Sequence, residues 1–303
     1  MSSPRDWAEL LRVSALFTVP GDALTGAAAS GLRPGARTVL AAGGSLCLYE
    51  AGMALNDWAD RAEDAVERPH RPLPSGRIAP AQALTAAVGL TAAGIGLALA
   101  AGRPAALTAS ALAGTVWAYD LRLKHTAAGP AAMAAARGLD VLLGAVATAH
   151  CRTGAGAVSW GRAARRAVLP AAAVGAHTYA VTAVSRTETK GGAPGRPLAA
   201  LGVTAAIGAL AGAGPDPRGV SSPRAFARTA LAGVYVATAA RPFLHAALNP
   251  SPPLVQRAVG GGIRAVIPLQ AALTARSGPL AAAALLTGLV PVARRLARKV
   301  SPT

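Results

Sequence analysis

The chain has 303 residues, of which 52% are hydrophobic and only 14% are charged, and its mean hydropathy is +0.40. This composition argues against an ordinary soluble domain and predicts a polytopic helical membrane protein. The net charge of +17 does not indicate a nucleic-acid partner. Its basic residues lie mostly at the ends of apolar runs, where they meet anionic lipid, and the sequence has no basic domain with interleaved aromatic residues.

Apolar runs follow one another along most of the chain, separated by Pro, Gly and charged residues that end helices in any solvent. They predict one all-α domain over residues 1–303, a membrane bundle of about nine transmembrane helices. The run 255–275 contains Arg257, Arg264 and Pro268, so we expect it to be the weakest span, either re-entrant or interfacial. The runs lie at about 7–30, 37–56, 80–102, 104–121, 128–150, 165–185, 196–214, 226–248, 255–275 and 278–293.

The segment NDWADRAED, residues 56–64, concentrates acidic residues at the end of an apolar run. Asp57, Asp60 and Asp64 are spaced by three and four, which predicts that they share one face of a helix. Three carboxylates on one face repel each other unless a cation neutralises them. Mg²⁺ takes oxygen ligands and bridges carboxylates to phosphates, so the segment predicts a magnesium site. Asn56 adds an amide beside it.

Basic residues follow this acidic segment directly, in ERPHRPLPSGRI. The guanidinium groups of Arg68 and Arg71 fit phosphate oxygens bidentately. A carboxylate–Mg²⁺ face beside arginines is the layout expected for a diphosphate site. The alternative is a charged loop at the membrane interface, in which the acids and arginines pair with one another.

Two further basic segments end later apolar runs: YDLRLKHT at residues 119–126 and SRTETKGG at 185–192. The chain has three lysines against 27 arginines, and two of them, Lys124 and Lys190, lie in these segments. All three charged segments follow even-numbered spans, so they are predicted to meet at one face of the membrane. Separate segments that converge on one mouth form a site.

The segment NDWADRAEDAVERPHRPLPSGRI resembles the first aspartate-rich signature of the UbiA superfamily of intramembrane prenyltransferases. That signature reads N-D-x-x-D-x-x-x-D and then R-P-x-x-x-G-x-I, and YDLRLK resembles the family's Y-S-x-x-L-K motif. The resemblance extends over essentially the whole chain. It implies a Mg²⁺-dependent transferase that moves a prenyl group from a polyprenyl diphosphate to an apolar or aromatic acceptor. The site would face the cytoplasm from the plasma (inner) membrane.

The resemblance also implies roles for individual residues. Asp57, Asp60 and Asp64 would hold Mg²⁺ on the donor, with Asp57 and Asp60 counted as catalytic. The residues expected to bind or orient the substrate are Asn56, Arg68, Arg71, Arg122, Lys124 and Glu188.

The family's second aspartate motif, D-x-x-x-D, is missing from the place where it is expected, after the sixth span. Ser185 and Thr189 stand where the two aspartates would be, and Glu188 is the only acid there. One interpretation is catalysis with one metal, where Lys190 is catalytic and replaces the second cation. Others are a substrate that needs less activation, or a non-catalytic bundle that binds or helps export an isoprenoid-type metabolite. The segment also resembles a family branch from bacterial secondary-metabolite clusters.

Ionisable residues inside apolar runs are costly and usually functional. Two pairs nevertheless have a structural explanation: Arg137 with Asp140 at i,i+3, and Asp120 with Lys124 at i,i+4.

Three other polar residues lie inside the runs. Asp22 is a candidate for lining a cavity. His177 and Tyr179 either line the acceptor pocket or pack in the bundle, and packing is the stronger expectation.

Overall fold

A computed structural model describes residues 3–12, 16, 18–149, 158–189, 191–214, 222–277 and 279–288. Within these residues every regular element is a helix, which confirms the prediction of an all-α bundle. A π-helical turn, Tyr119–Leu123, continues α6. The helices are α1 Pro4–Leu10, α2 Val19–Ser30, α3 Ala36–Ala59, α4 Arg61–Glu67, α5 Pro80–Ala101, α6 Arg103–Ala118, α7 Gly129–Thr148, α8 Trp160–Ser185, α9 Gly195–Gly212, α10 Pro223–Leu248 and α11 Pro252–Ser277.

Among the described residues, seven helices are long and apolar enough to cross a membrane: α3, α5, α7, α8, α9, α10 and α11. The expected count of nine is therefore not confirmed. Two predicted spans are too short, since α2 has 12 residues and α6 has 16, whereas a straight span needs about 20. The predicted run 278–293 extends beyond the described residues. The predicted first span, 7–30, is divided between α1 and α2, since α1 ends at Leu10 and α2 begins at Val19.

The expectation that 255–275 is re-entrant or interfacial is wrong. It lies within α11, a continuous helix of 26 residues that contacts α2, α8, α9 and α10 and is mostly buried. Its glycines allow close approach: a Cβ on Gly261 would lie 2.8 Å from Pro242, and one on Gly262 would lie 2.5 Å from Val181. The prediction relied on the low hydropathy of this run, which would disfavour a helix that faces lipid. This helix is surrounded mostly by protein, so its low hydropathy does not prevent it from spanning the bundle.

The first half of the bundle is held together by α2, α3 and α7, and glycines bring α2 and α7 into backbone contact. A Cβ on Gly26 would lie 1.9 Å from the carbonyl oxygen of Val141, and one on Gly144 would lie 2.3 Å from that of Ala23. In lipid, where burial of apolar surface gives little drive, such close backbone packing stabilises helix pairs. The contact places Asp22 of α2 beside the polar residues of α7.

The predicted ion pair within α7 is not formed. Arg137 pairs instead with Asp22 across the α2–α7 contact, at 2.9 Å between Nη1 and Oδ2. Asp140 accepts a hydrogen bond of 2.6 Å from the hydroxyl of Ser45 on α3, and the amide of Gln270 on α11 donates to Asp22 at 2.7 Å. Each charged side chain of α7 therefore has its partner on a neighbouring helix.

His177 is a packing residue, as the stronger of the two expectations had it. Its ring is buried, with one nitrogen 3.0 Å from the hydroxyl of Tyr235 and the other 2.9 Å from the carbonyl oxygen of Gly262. These contacts connect α8 to α10 and α11. Tyr179 is 47% exposed on the outside of the bundle.

Candidate functional site

The aspartate segment lies where α3 ends and α4 begins, with Asp60 as the residue between the two helices. Asp57 and Asp64 are 4% and 1% exposed. Both approach one nitrogen of Arg71, Asp57 at 3.6 Å and Asp64 at 2.7 Å, whereas Asp60 forms an ion pair with Lys124. The break between α3 and α4 therefore directs Asp60 towards Lys124 and away from Arg71. The three carboxylates form two groups instead of sharing the single helical face that their spacing predicts.

The carboxylates are paired with cations, as the alternative interpretation of this segment required. Besides Arg71 and Lys124, the side chain of Arg68 contacts Asp64 at 3.3 Å. Arg12 donates to Asp57 at 2.9 Å. Four cationic side chains therefore face these three carboxylates, and positive groups of this kind suit an anionic ligand.

Arg12 was missed by the sequence analysis. It is the one non-glycine residue with positive φ in the described part of the chain, at 48°. Such a left-handed conformation costs an L-residue about 1–2 kcal/mol, and strain of this kind concentrates at functional sites. The available signal was an arginine within an apolar run, a placement that membrane proteins rarely tolerate without a partner.

The segment YDLRLKHT at residues 119–126, called here the second motif, contacts the aspartate segment, the first motif, through the π-helical turn. Asn56 donates to a carboxylate oxygen of Asp120 at 3.1 Å, and Lys124 pairs with Asp60. The expected Asp120–Lys124 ion pair is therefore wrong. The turn adds a residue to the helical register, since the Lys124 N–H bonds to the carbonyl oxygen of Tyr119, five residues earlier.

The segment SRTETKGG at residues 185–192, called here the third motif, contacts the second motif, as its predicted position required. Arg186 donates to the carbonyl oxygens of Thr126 and His125. Burial raises the pKa of Glu188 above its ordinary value, and the nearby positive charge of Arg68 opposes that rise. Glu188 therefore lies within electrostatic reach of the first motif.

Among the described residues of these two motifs, Ser185 and Arg122 take no part in these ion pairs. Ser185 uses its hydroxyl within the helix, donating to the carbonyl oxygen of Thr182 at 2.9 Å. Arg122 is exposed. Lys190 lies outside the described residues.

A cavity of about 220 Å³ opens beside these motifs and extends between α3, α6 and α7. On α3 its lining runs from Asn56 to Ser45 along one helical face, a length of about 16 Å at 1.5 Å per residue. The middle is apolar, with side chains such as Leu48 and Met133, and the inner end is polar, with Arg137 and Asp140. The shape fits a molecule with a charged head at the mouth and an apolar body.

The residues at the mouth fit a magnesium ion. Carboxylate oxygens are the ligands Mg²⁺ prefers. Within the described part of the chain, the ion pairs of Asp57 and of Asp60 all go to Oδ1 of each carboxylate, which leaves the Oδ2 atoms for a cation. Asp60, Glu63 and His125 also place three potential ligand atoms within 4.8 Å of one another.

One arginine, Arg77, holds helix α1 through two ion pairs. Arg77 contacts Asp6 and Glu9 of α1 at 2.7 Å each, and α1 leads directly to Arg12. Hydrogen bonds from Ser3 and from Arg77 lower the pKa of Asp6 to about 2. Because the folded pKa lies below the ordinary value of 3.8, this contact holds α1 fully only above that pH, and it is lost as the pH falls towards 2.

The substitution Arg77→Gln is expected to release α1 without unfolding the bundle, because it removes both ion pairs of that helix. Hydrogen exchange of the amides of residues 4–10 at neutral pH should become faster, while exchange in α3 stays unchanged. Arg61→Gln, at an exposed position in α4, is the matched control. Equal protection of α1 in the wild type and in Arg77→Gln would show that apolar packing alone holds the helix.

Comparison with known proteins agrees with this geometry. The model of the UbiA prenyltransferase family matches residues 14–198. A digeranylgeranylglyceryl phosphate synthase from Methanopyrus kandleri is 36% identical over 117 residues, which are 38% of this chain and 40% of that protein. The corresponding protein from Ignicoccus hospitalis is 32% identical over 48% of each chain. The chain thus matches less than half the length of these curated relatives.

Solved structures share the fold over nearly the whole chain. An apo UbiA homologue from Aeropyrum pernix K1 has a TM-score of 0.65 at 21% identity, covering 85% of this chain and 96% of that one. A UbiA homologue from Archaeoglobus fulgidus bound to GPP and Mg²⁺ has a TM-score of 0.56 at 16% identity, covering 95% and 99%. With its apolar helices and a family match over more than half of its residues, the chain is an integral membrane protein that belongs to the UbiA prenyltransferase family.

Proposed function

We propose that the protein is a Mg²⁺-dependent prenyltransferase that uses a prenyl diphosphate donor and an acceptor bound in the cavity. The observation that carries this proposal is the juxtaposition of three carboxylates and four cations beside an apolar cavity, which is lined by Arg12 and Asn56 of the same site. The donor's diphosphate would lie at the mouth and its hydrocarbon in the cavity. The mouth would face the cytoplasm from the plasma (inner) membrane.

In the proposed reaction, the bond between the allylic carbon and the diphosphate oxygen breaks, and the diphosphate leaves with the electron pair. Arg12, Arg68, Arg71 and Lys124 stabilise the negative charge that grows on the leaving group. The acceptor attacks the allylic carbon, and its proton passes to the released diphosphate. The apolar cavity wall excludes water, which would otherwise capture the carbocation.

Magnesium, when bound, would neutralise the diphosphate and assist its departure as a Lewis acid. Asp57, Asp60 and Asp64 would hold it, and Asn56 would orient this group through its contact with Asp120. Arg122 and Glu188 are proposed to contact the diphosphate once it is bound.

The direct test is diphosphate release by the purified protein in nanodiscs. Geranyl, farnesyl and geranylgeranyl diphosphates would be supplied with Mg²⁺, and the name of the curated relatives makes a glyceryl phosphate ether lipid the first acceptor to try. We expect release that depends on both Mg²⁺ and acceptor, with EDTA as the control. Release equal to that of empty nanodiscs for every donor would reject the proposal.

A non-catalytic binder of isoprenoid-type metabolites is the second candidate. It is favoured by the third motif, where Ser185 bonds to its own helix and Thr189 is exposed. A second metal would find few ligands there. Such a protein would bind the donors in calorimetry without releasing diphosphate.

Lys190 distinguishes the two candidates. In a transferase it replaces the missing second cation, so Lys190→Ala should slow turnover by more than it weakens donor binding, because the interaction grows as the bond breaks. In a binder the same change should weaken only donor affinity. Turnover and donor affinity would be measured together, with Arg196→Ala, a basic residue of α9, as the control. Unchanged turnover and affinity would leave Lys190 without the catalytic role proposed for it.

A further inference from the structure

A second cavity, of about 170 Å³, lies between α10 and α11, away from the site described above. All of its charged or titratable lining residues are basic: Arg241, His245 and Arg257. Pro242 and Leu254 complete the lining. We call this cavity the basic cleft. It shares no lining residue with the cavity beside the aspartates.

The three basic side chains of the cleft are exposed and have no acidic partner among the described residues. At the aspartate site, by contrast, Arg71 and Arg68 are paired with carboxylates. Basic groups gathered in one cleft repel each other. A bound anion would relieve this repulsion.

The cleft lies near the membrane face that carries the aspartates. The connection between α10 and α11 contacts the third motif, since the N–H of Gly192 donates to the carbonyl oxygen of Pro250 at 3.2 Å. Arg241 precedes the last residue of α10 by seven positions, about 10 Å, and Arg257 follows the start of α11 by five, about 8 Å.

The length of α10 sets the depth of the cleft in the bilayer. The helix has 26 residues and is about 39 Å long, which exceeds a hydrocarbon core of about 30 Å. Its ends therefore reach the head-group region, and the basic cleft lies at the boundary between head groups and hydrocarbon. Long basic side chains at this depth extend towards lipid phosphates.

We propose that the basic cleft binds the phosphate head group of an anionic glycerophospholipid. Basic pockets between transmembrane helices recognise such head groups. Val234, two turns deeper than Arg241 on α10, is 52% exposed and provides apolar surface for the acyl chains. A prenyl diphosphate is the weaker fit, because the cleft lining contains no carboxylate to hold the metal ion that accompanies a diphosphate.

The test measures lipid binding to the purified full-length protein by native mass spectrometry. Phosphatidylglycerol should bind the wild type more tightly than phosphatidylcholine does. The double variant Arg241→Gln/Arg257→Gln should lose roughly thirtyfold in phosphatidylglycerol affinity, from the usual contribution of each basic residue near a membrane surface. Phosphatidylcholine affinity should not change. The double variant Arg241→Lys/Arg257→Lys keeps both charges and should retain most of the affinity.

Arg264→Gln is the matched control, since Arg264 is an exposed arginine of α11 that does not line the cleft. Thermal unfolding in phosphatidylcholine checks the fold of each variant, and His245→Ala is the milder substitute if the double variant unfolds. Unchanged phosphatidylglycerol affinity, or an equal loss in Arg264→Gln, would overturn the proposal. Displacement of phosphatidylglycerol by geranylgeranyl diphosphate would assign the cleft to the substrate and overturn it as well. No outcome depends on prenyl transfer.

Discussion

Replacing Asp60 by asparagine is expected to lower the rate of Mg²⁺-dependent prenyl transfer by roughly a hundred- to a thousandfold, the scale of losing one preorganised charge contact in a transition state. The substitution keeps the shape of the side chain but removes its negative charge. In the proposed function it would take a ligand from the metal, and it leaves the ammonium group of Lys124 without its counter-charge. Diphosphate release at saturating donor measures the effect, and Mg²⁺ titration should show weaker apparent metal affinity.

Glu67→Gln is the control for Asp60→Asn, because Glu67 is an exposed acid of the neighbouring helix α4. It changes the net charge of the segment by the same amount without touching the ion pairs at the mouth. Transfer should stay within about twofold of the wild type, as for surface changes away from a site. If Asp60→Asn and Glu67→Gln turned over equally, the carboxylate of Asp60 would have no part in holding the metal.

The helical class of the fold could be predicted because its determinants are local. Apolar runs and the Pro and Gly residues between them are visible in the sequence, and helices α5 and α8 fall where the runs at 80–102 and 165–185 predict them. The span count could not be predicted, since it depends on how much of each run is helical. Helix α11 was misjudged because hydropathy cannot distinguish contact with protein from contact with lipid.

The sequence also predicted which residues make up the candidate site, but it did not predict which of them form ion pairs with one another. Asp57, Asp60, Asp64 and Lys124 were identified from spacing and resemblance, and the structure brings them together. Which cation meets which carboxylate depends on the helix break at Asp60 and on the π-helical turn. Both features are set by tertiary packing, which overrides the local i,i+4 expectation.

The inner end of the cavity depends on pairing across helices in the same way. Arg137 has an acid three residues later in its own helix but binds Asp22 of α2. Rotation of α7 towards α2 and α3 decides this, and the rotation follows from where glycines permit close contact. Packing of small residues in the membrane therefore determines the charge arrangement beneath the apolar part of the cavity.

The substitution Gly26→Ala tests that dependence. The added Cβ would lie 1.9 Å from the carbonyl oxygen of Val141 and 2.7 Å from the backbone nitrogen of Ala145, so α2 must move away from α7. Overpacking of this kind typically costs about 1–3 kcal/mol. The movement also pulls Asp22 from Arg137, and breaking a buried ion pair costs about 3–5 kcal/mol when one charge is left unpaired. We expect a clear fall in the thermal unfolding temperature in detergent, with loss of donor binding.

Gly89→Ala is the matched change, since Gly89 lies in α5 with no atom within 4 Å of its added Cβ. In a helix interior alanine is about 1 kcal/mol more favourable than glycine, so this variant should unfold at or slightly above the wild-type temperature. The difference in unfolding temperature between the two variants separates the effect of the α2–α7 contact from the effect of helix propensity. If Gly26→Ala unfolded at the same temperature as Gly89→Ala, α2 would pack loosely on α7. The pairing of Asp22 with Arg137 would then not depend on close contact between these two helices.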